Sequence, residues 1–264
     1  MSSQNFPAGA VIGVLHLPPL PGSPRPGPAR QALVDRALFD ADALAQGGAA
    51  GCIIENLGDA PFATTSVEPH VVAHMAVIAA AVAQRFGSSL RIGINVLRNA
   101  GLDALGIVSA TGADFIRINV LSGAMVTDQG IIQGQARELM LYRRRLGLSC
   151  QVAADILVKH ASPIGELSIQ QAARDVYHRG GADMLIVTGA GTGLAAEPAR
   201  LQAARQAVPE APLWLGSGLT PDNAALYRPY CDAAIVGTYL HQYGQLDEPL
   251  DVERVRVVVG AFGK

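Results

Sequence analysis

Eight short runs rich in β-branched and small apolar residues alternate with eight stretches of helical periodicity along the chain. The short runs occupy residues 11–15, 51–55, 91–96, 114–119, 150–155, 183–188, 213–216 and 233–237. The helical stretches occupy residues 32–46, 67–85, 102–110, 131–145, 169–179, 197–207, 221–227 and 252–262. Regular alternation predicts a parallel sheet, and eight units match the closure of a (β/α)8 barrel. An open, doubly wound sheet is the alternative architecture.

Composition and length agree with a single barrel. Hydrophobic residues make up 50% of the 264 residues and charged residues only 16%, so the chain can bury a large core. A (β/α)8 barrel typically has about 250 residues. We therefore predict one α/β domain over residues 1–264, a TIM barrel with eight parallel strands inside an outer ring of helices.

Charge and cysteine content restrict the partners and the compartment. The formal net charge is -2 and no basic stripe occurs, so no nucleic-acid partner is predicted. Three widely spaced cysteines indicate buried thiols in a reducing cytoplasm. No charged segment leads into an apolar one at the N-terminus, and no apolar segment reaches about 20 residues. We expect a cytoplasmic protein without a signal peptide or transmembrane helix.

Polar residues stand where the apolar strands end. In a barrel the C-terminal ends of the strands meet at one face, the mouth, where active sites lie. We therefore expect one polar site there, and its candidate substrate contacts at the third and fourth strands are Asn95, Arg117 and Asn119. His70 and His74 share a helix face, but their helix should lie outside the barrel. Neither a metal nor a cofactor is predicted.

Glycine-rich turns follow the last three strands. Barrels often bind phosphate at the loops after strands seven and eight, because glycine lets backbone N–H groups approach the anion. The turns predict a phosphate cradle, with tight turns that need a positive φ as the alternative explanation. Its candidate residues are Gly216, Ser217, Gly218, Gly237 and Thr238, with Gly191, Thr192 and Gly193 after the sixth strand.

Four residues at the strand ends are candidates for catalysis. Glu55 and Asp155 should be partly desolvated, which favours the neutral carboxyl group and suits proton transfer. The alternative for each is a structural acid paired with Arg117 or Lys159. Lys159 fits a Schiff base, or a salt bridge or phosphate contact. His16 fits an acid–base group or anion contact, with an oriented core histidine as the alternative.

Six prolines fall between residues 18 and 28, directly after the first strand. Proline fixes φ and removes backbone donors, so this segment should be extended and stiff. We expect the loop at 17–29 to lie over the catalytic face. A mobile lid and a packed surface crossover are the two interpretations.

In six sequence motifs that contain several of these candidate residues, the chain resembles the BtpA/SgcQ family. The matching motifs span residues 13–24, 55–62, 92–99, 113–119, 127–130 and 158–161, together with the two glycine-rich loops, so the resemblance covers nearly the whole chain. Members are named for photosystem I biogenesis in cyanobacteria, and relatives occur in non-photosynthetic bacteria, often in sugar-metabolism settings. Residues 55–62 and 189–193 are also similar to the tryptophan synthase alpha chain and related phosphate-binding barrels. The turn here is one residue longer, so the similarity assigns no role to Asp59.

Two functional hypotheses follow. The first is an enzyme that binds a phosphorylated sugar or nucleoside-like metabolite and carries out lyase, isomerase or glycosidic-bond chemistry. The alternative is a photosystem I or membrane-complex biogenesis factor without catalysis, for which peripheral membrane association stays open. An exposed apolar patch on the helical ring would favour the second hypothesis. We expect a homo-oligomer in either case.

Overall fold

A computed structural model describes residues 6–189, 191 and 195–263. The strands in chain order are β1 (Ala10–His16), β2 (Gly51–Glu55), β3 (Arg91–Asn95), β4 (Phe115–Ile118), β5 (Ala124–Thr127), β6 (Gly130–Gln133), β7 (Gln151–Ile156), β8 (Ala161–Pro163), β9 (Met184–Val187), β10 (Leu213–Leu215) and β11 (Ala233–Val236). The helices are α1 (Arg30–Gln46), α2 (Pro69–Phe86), α3 (Gly101–Thr111), α4 (Ala136–Arg145), α5 (Ile169–Arg174, continued by a π-helical turn at Asp175–Arg179), α6 (Pro198–Ala207), α7 (Ala224–Tyr227) and α8 (Val252–Phe262).

Eight of the strands form a closed parallel barrel in the order β1-β11-β10-β9-β7-β4-β3-β2. The (β/α)8 barrel predicted from the sequence is therefore confirmed. A large apolar core lies between the strands and the helices, and a smaller one fills the barrel interior. Within the described part of the chain, none of the helices is long and apolar enough to cross a membrane. The three cysteines are buried free thiols.

Side chains alternate along each barrel strand, so every second residue faces the interior. Ile12 and Val14 on β1 belong to the inner core, and so do Ile53 on β2 and Phe115 on β4. Phe6, which precedes β1, packs edge-to-face on Phe115 and Trp214 with ring centroids 5.7 and 5.0 Å away. Apolar side chains therefore fill the barrel interior. The inward-facing position at the C-terminal end of each strand lies beyond this core and can carry a polar group.

One predicted element is wrong. The helical stretch at 131–145 begins only at Ala136, because residues 130–133 form β6 of a three-stranded antiparallel sheet with β5 and β8. In this sheet Met125 and Ile132 form a buried cluster with Val120 and Val158. That burial outweighs the local helical pattern around Ile131. The sheet is built from the loops that follow β4 and β7, on the mouth side of the barrel.

Candidate active site at the barrel mouth

The polar residues of the first three strands lie side by side. His16 pairs in register with Glu55, and Glu55 pairs with Asn95. His16 Nε2 lies 4.0 Å from Glu55 Oε1. Each residue is two positions beyond an inward residue, Val14, Ile53 or Gly93, so its side chain points into the barrel. Because every second residue of a strand faces inward, these polar side chains form a layer next to the apolar side chains that fill the barrel.

Arg117 and Asp155 form the buried ion pair of this layer. Arg117 Nη2 donates to both carboxylate oxygens of Asp155 at 3.2 Å, and Asn119 Nδ2 donates to Oδ2 at 2.7 Å. The Asp155 side chain is fully buried. Asn95 Nδ2 donates to the Arg117 carbonyl at 3.1 Å. Burial opposes the charge of Arg117, but Asp155 and Glu55 outweigh it and raise its pKa.

Glu55 is held much less tightly than Asp155. Its Oε2 lies 3.9 Å from Arg117 Nη1, beyond hydrogen-bond distance, and there is no bidentate pair. The Glu55 side chain is 10% exposed and lines the mouth cavities described below. The two acids predicted at the strand ends therefore have different surroundings: Glu55 faces the cavity, and Asp155 anchors neighbouring side chains.

A second histidine, which the sequence analysis did not single out, orients His16. His241 Nδ1 hydrogen-bonds the Glu248 carbonyl, and a carbonyl only accepts, so Nδ1 carries the proton. His241 Nε2 then accepts from His16 Nδ1, 2.9 Å away. Burial, followed by the nearby His241 and Lys159, lowers the pKa of His16 well below its ordinary value, and burial also lowers the pKa of His241. The lowered pKa values favour the neutral form of both rings. In that form His16 Nε2 is a proton acceptor on the side of Glu55.

The lowered pKa values of these two histidines predict that stability depends on pH. A histidine whose pKa is lower in the folded protein binds its proton first in the unfolded chain, so acid favours unfolding. We expect the free energy of unfolding to fall as pH drops below about 6.5, by up to about 1.4 kcal/mol per pH unit for each histidine. Urea titrations between about pH 5.5 and 7.5 measure the slope. His16→Asn should flatten it, and identical slopes would contradict the assignment.

Two adjoining cavities open at the mouth. The larger has a volume of about 810 Å³ and reaches the loops after β1, β2, β3 and β7. The smaller, of about 270 Å³, lies against the turns after β10 and β11. Four residues line both cavities and so lie between them: His16, Glu55, Arg117 and Lys159. Asp155 is not among the described residues that line either one.

The glycine-rich turns after β10 and β11 line the smaller cavity. Its walls include all five residues of the predicted cradle after strands seven and eight: Gly216, Ser217, Gly218, Gly237 and Thr238. A Cβ on Gly237 would lie 2.7 Å from His16 Cε1, so only glycine leaves room for that ring. Gly218 has φ +78°, which glycine adopts without strain. Gly191 is buried and is not among the described residues that line either cavity, and Thr192 and Gly193 lie outside the described residues.

Basic side chains outnumber acidic ones on the cavity walls, although the whole chain is slightly acidic. Two acids line them, Glu55 and Asp247, against six basic residues: Arg25, Arg36, Arg98, Arg117, Lys159 and Arg254. Burial, with the nearby Arg117, lowers the pKa of Lys159. Such a concentration of positive charge in a cleft attracts anionic ligands. Among the described residues, no three histidine, cysteine or acidic side chains come together as metal ligands would.

Arg254 and Arg98 are site residues that sequence reasoning missed. Arg254 lies in the first turn of α8, where its Nε donates to the Tyr239 carbonyl at 2.5 Å and its guanidinium lies 4.4 Å from the Tyr239 ring centroid. Arg98 follows β3 within the motif at 92–99. Neither residue stands at a strand end, so the rule that located the other candidates does not find them.

The proline-rich segment forms part of the wall of the larger cavity. Pro18, Pro19, Arg25 and Pro26 line it. The segment is anchored at its start, where the Leu20 N–H donates to Asp59 Oδ1 at 2.8 Å. Asp59 therefore has a structural role. These contacts place the segment on the cavity wall. That it covers the catalytic face, and that it moves as a lid, stay predictions.

The fold and this cavity define the class of protein: a parallel (β/α)8 barrel with a polar, positively charged mouth. The chain belongs to the BtpA family, whose model matches residues 8–264. It is 42% identical over 254 residues to the photosystem I biogenesis protein BtpA of Synechocystis sp., covering 96% of this chain and 88% of the relative. It is also 40% identical over 259 residues to an uncharacterised protein of Pyrococcus furiosus, covering 98% and 97% of the two chains.

Solved structures with the same fold include several enzymes at low sequence identity. The structure titled KGPDC from Streptococcus mutans matches with a TM-score of 0.60 at 10% identity, covering 98% of each chain. The tryptophan synthase of Mycobacterium tuberculosis matches with a TM-score of 0.59 at 17% identity, covering 97% of this chain and 91% of the other. The N-(5'-phosphoribosyl)anthranilate isomerase of Pyrococcus furiosus gives 0.55 at 10% identity, covering 96% and 98%. These similarities establish the barrel fold.

Proposed function

We propose that this protein is an enzyme that performs acid–base chemistry on a phosphorylated sugar or nucleoside-like metabolite. The observation that carries the proposal is the smaller cavity, which has the glycine-rich turns and Arg254 on its walls and shares His16 and Glu55 with the larger cavity. Backbone N–H groups and hydroxyls of the turns would donate to the phosphate, and Arg254 would supply charge. The reacting atoms of the ligand would then lie beside His16 and Glu55.

The residues between the two cavities have complementary properties for proton transfer. Neutral His16 presents Nε2 as a proton acceptor, oriented by His241, and Glu55 is the second acid–base group. Arg117 would stabilise negative charge that develops on the ligand, and Asp155 would hold Arg117 in place. This pairing of groups suits a lyase, an isomerase or glycosidic-bond chemistry. The N-(5'-phosphoribosyl)anthranilate isomerase among the structural neighbours is named for a phosphoribosyl compound, and the shared fold allows the same class of ligand here.

Arg254→Gln tests the cradle. A screen of phosphate esters by thermal stabilisation should first identify binders, since a ligand at 100 times its Kd adds about 2.7 kcal/mol of apparent stability. Hydrogen bonds to a charged group contribute about 1.5–3 kcal/mol, so the variant should bind such an ester about 10- to 100-fold more weakly by calorimetry.

The matched control for Arg254→Gln is Arg256→Gln on the same helix. Arg256 pairs with Glu253 at an exposed surface, so its replacement should leave phosphate-ester affinity unchanged. Equal affinities of the Arg254→Gln and Arg256→Gln proteins would contradict the cradle. A full screen without any stabilising phosphate ester would remove the proposed ligand class.

A second candidate function, assembly with another protein, is favoured by the outer face of the small antiparallel sheet. Val126 and Ile131 are direct cross-strand partners, and Ile164 lies one residue beyond β8. Their exposed fractions are 49%, 58% and 59%. The opposite face of the sheet is buried in the protein, so both of its faces carry apolar side chains. Neighbouring exposed apolar residues often mark an interaction surface.

The helical ring adds a smaller apolar contribution to this second candidate. Phe39, Val77 and Val257 are exposed on α1, α2 and α8, of which α1 packs against both others. If the protein acts through assembly, replacing both Val126 and Ile131 by serine should abolish that role and leave ligand binding unchanged. Sedimentation of this double variant beside the unmodified chain would also show whether the expected homo-oligomer forms through the sheet.

A further inference from the structure

The larger cavity provides more space than a small phosphate ester would fill. Cavities that bury drug-sized ligands typically enclose about 300–1,000 Å³, and the larger cavity alone has about 810 Å³. A ligand whose phosphate occupies the smaller cavity would pass His16 and Glu55 and enter the larger one. The side chains of the larger cavity therefore decide which chemical group the far end of the ligand carries.

Arg98 is the most unusual of these side chains. It is only 6% exposed, yet it lines the larger cavity. Its Nη2 donates to the Lys159 carbonyl at 2.6 Å, and in the described ranges no carboxylate forms an ion pair with it. A guanidinium has five N–H donors, and a buried charge without an ionic partner is destabilising. Burial lowers the pKa of Arg98, and the more distant Asp155 and Glu55 offset this only in part.

Three other cations of the larger cavity are less suited to bind a ligand, and one of them, Arg117, already pairs with Asp155. Arg36 is occupied, because it pairs with Asp40 at 2.7 Å and donates to the carbonyls of Asp247 and Glu248. Arg25 is exposed, so solvent and salt screen its charge. Lys159 lines both cavities beside Arg98 and is partly buried. Arg98 and Lys159 are thus the pair of cations through which the larger cavity would bind an anion.

We propose that the larger cavity holds a second anion-binding subsite, built on Arg98 and supported by Lys159, so that the ligand is anionic at both ends. This inference rests on the proposed phosphate cradle for the first end. The second group is an oxyanion, carboxylate or phosphoryl, since the planar guanidinium binds either one through two parallel hydrogen bonds. His16 and Glu55 would then act on the middle of the ligand, between two fixed ends.

Three six-carbon probes with a common phosphate test the subsite by calorimetry on the full chain at constant ionic strength. Sorbitol 6-phosphate ends in a hydroxyl, 6-phosphogluconate in a carboxylate, and sorbitol 1,6-bisphosphate in a second phosphate. At least one of the two probes with an anionic group at each end should bind about 10- to 100-fold more tightly than sorbitol 6-phosphate. The preferred probe identifies the second group as carboxylate or phosphoryl.

Arg98→Gln should bring that ratio close to one without changing the affinity for sorbitol 6-phosphate. Arg98→Lys, which keeps the charge and covers the case of a misfolded glutamine variant, should retain part of the preference. Equal affinities in the unmodified chain, a preference that survives Arg98→Gln, or no binding of any probe overturns the subsite. The cradle fails separately, when Arg254→Gln leaves the affinity for sorbitol 6-phosphate unchanged or when the wider screen finds no phosphate ester.

Discussion

Glu55→Gln should lower turnover of the substrate by about 10²- to 10⁴-fold, the usual contribution of a general acid–base group. Glutamine keeps the shape of the side chain but cannot exchange a proton. Glu55 lines both mouth cavities, lies 4.0 Å from His16 Nε2 and is not in hydrogen-bond contact with Arg117. Its carboxylate is therefore placed to face a ligand.

The measurement requires a substrate identified by the phosphate-ester screen, followed by steady-state kinetics. Ligand affinity should change much less than turnover, because the proposed phosphate contacts are made by other residues. Glu253→Gln, at the exposed surface of α8, is the matched control and should keep normal turnover. Near-normal turnover of the Glu55→Gln protein would exclude Glu55 as the proton-transfer group and leave His16 as the main candidate.

Asp155→Asn should lower the free energy of unfolding by about 3 kcal/mol or more, since breaking a buried ion pair typically costs about 3–5 kcal/mol. Arg117 and Asp155 are 4% and 0% exposed as side chains, and Arg117 Nη2 contacts both carboxylate oxygens. Without the carboxylate, the guanidinium is left with Glu55 at 3.9 Å as its remaining acidic neighbour. Urea unfolding at neutral pH measures the loss.

The same variant separates the two interpretations that the sequence left open for Asp155. An anchoring acid predicts a large loss of stability, whereas a catalytic acid predicts lost turnover in a protein of nearly normal stability. The exposed pair of Arg256 and Glu253 is the reference, because removing one partner of a surface pair changes stability by less than about 1 kcal/mol. A loss as small as that in Asp155→Asn would contradict the anchoring role.

The sequence carried enough information to locate most of the mouth. Strand periodicity places every second residue inside the barrel, so Val14 and His16 point inward together, as do Ile53 and Glu55. The C-terminal ends of parallel strands share one face, which brings His16, Glu55 and Arg117 around common cavities. These rules depend only on backbone geometry, so they hold without knowing which side chains each residue contacts in the folded chain.

The loops were less predictable, because their structure depends on what they pack against. Residues 130–133 are extended where Ile132 enters a cluster with Met125, whereas the local pattern indicated a helix. Arg98 and Arg254 reach the cavities from a loop and from the first turn of a helix. Neither arginine stands at a strand end, so the rule that located the other candidates does not separate them from exposed arginines.

The sequence by itself determined the barrel, the inward direction of the strand-end side chains and the glycine-rich turns, since these follow from local periods and residue conformation. Tertiary structure alone decided which groups meet. His16 and His241 are 225 positions apart yet their ring nitrogens lie 2.9 Å apart, and this contact and the Glu248 carbonyl together orient both rings. Tertiary structure also gave two similar acids different surroundings, because closure of the barrel buries Asp155 against Arg117 and leaves Glu55 at the cavity. Burial and charge pairing arise only when distant segments pack together, so no local pattern encodes them.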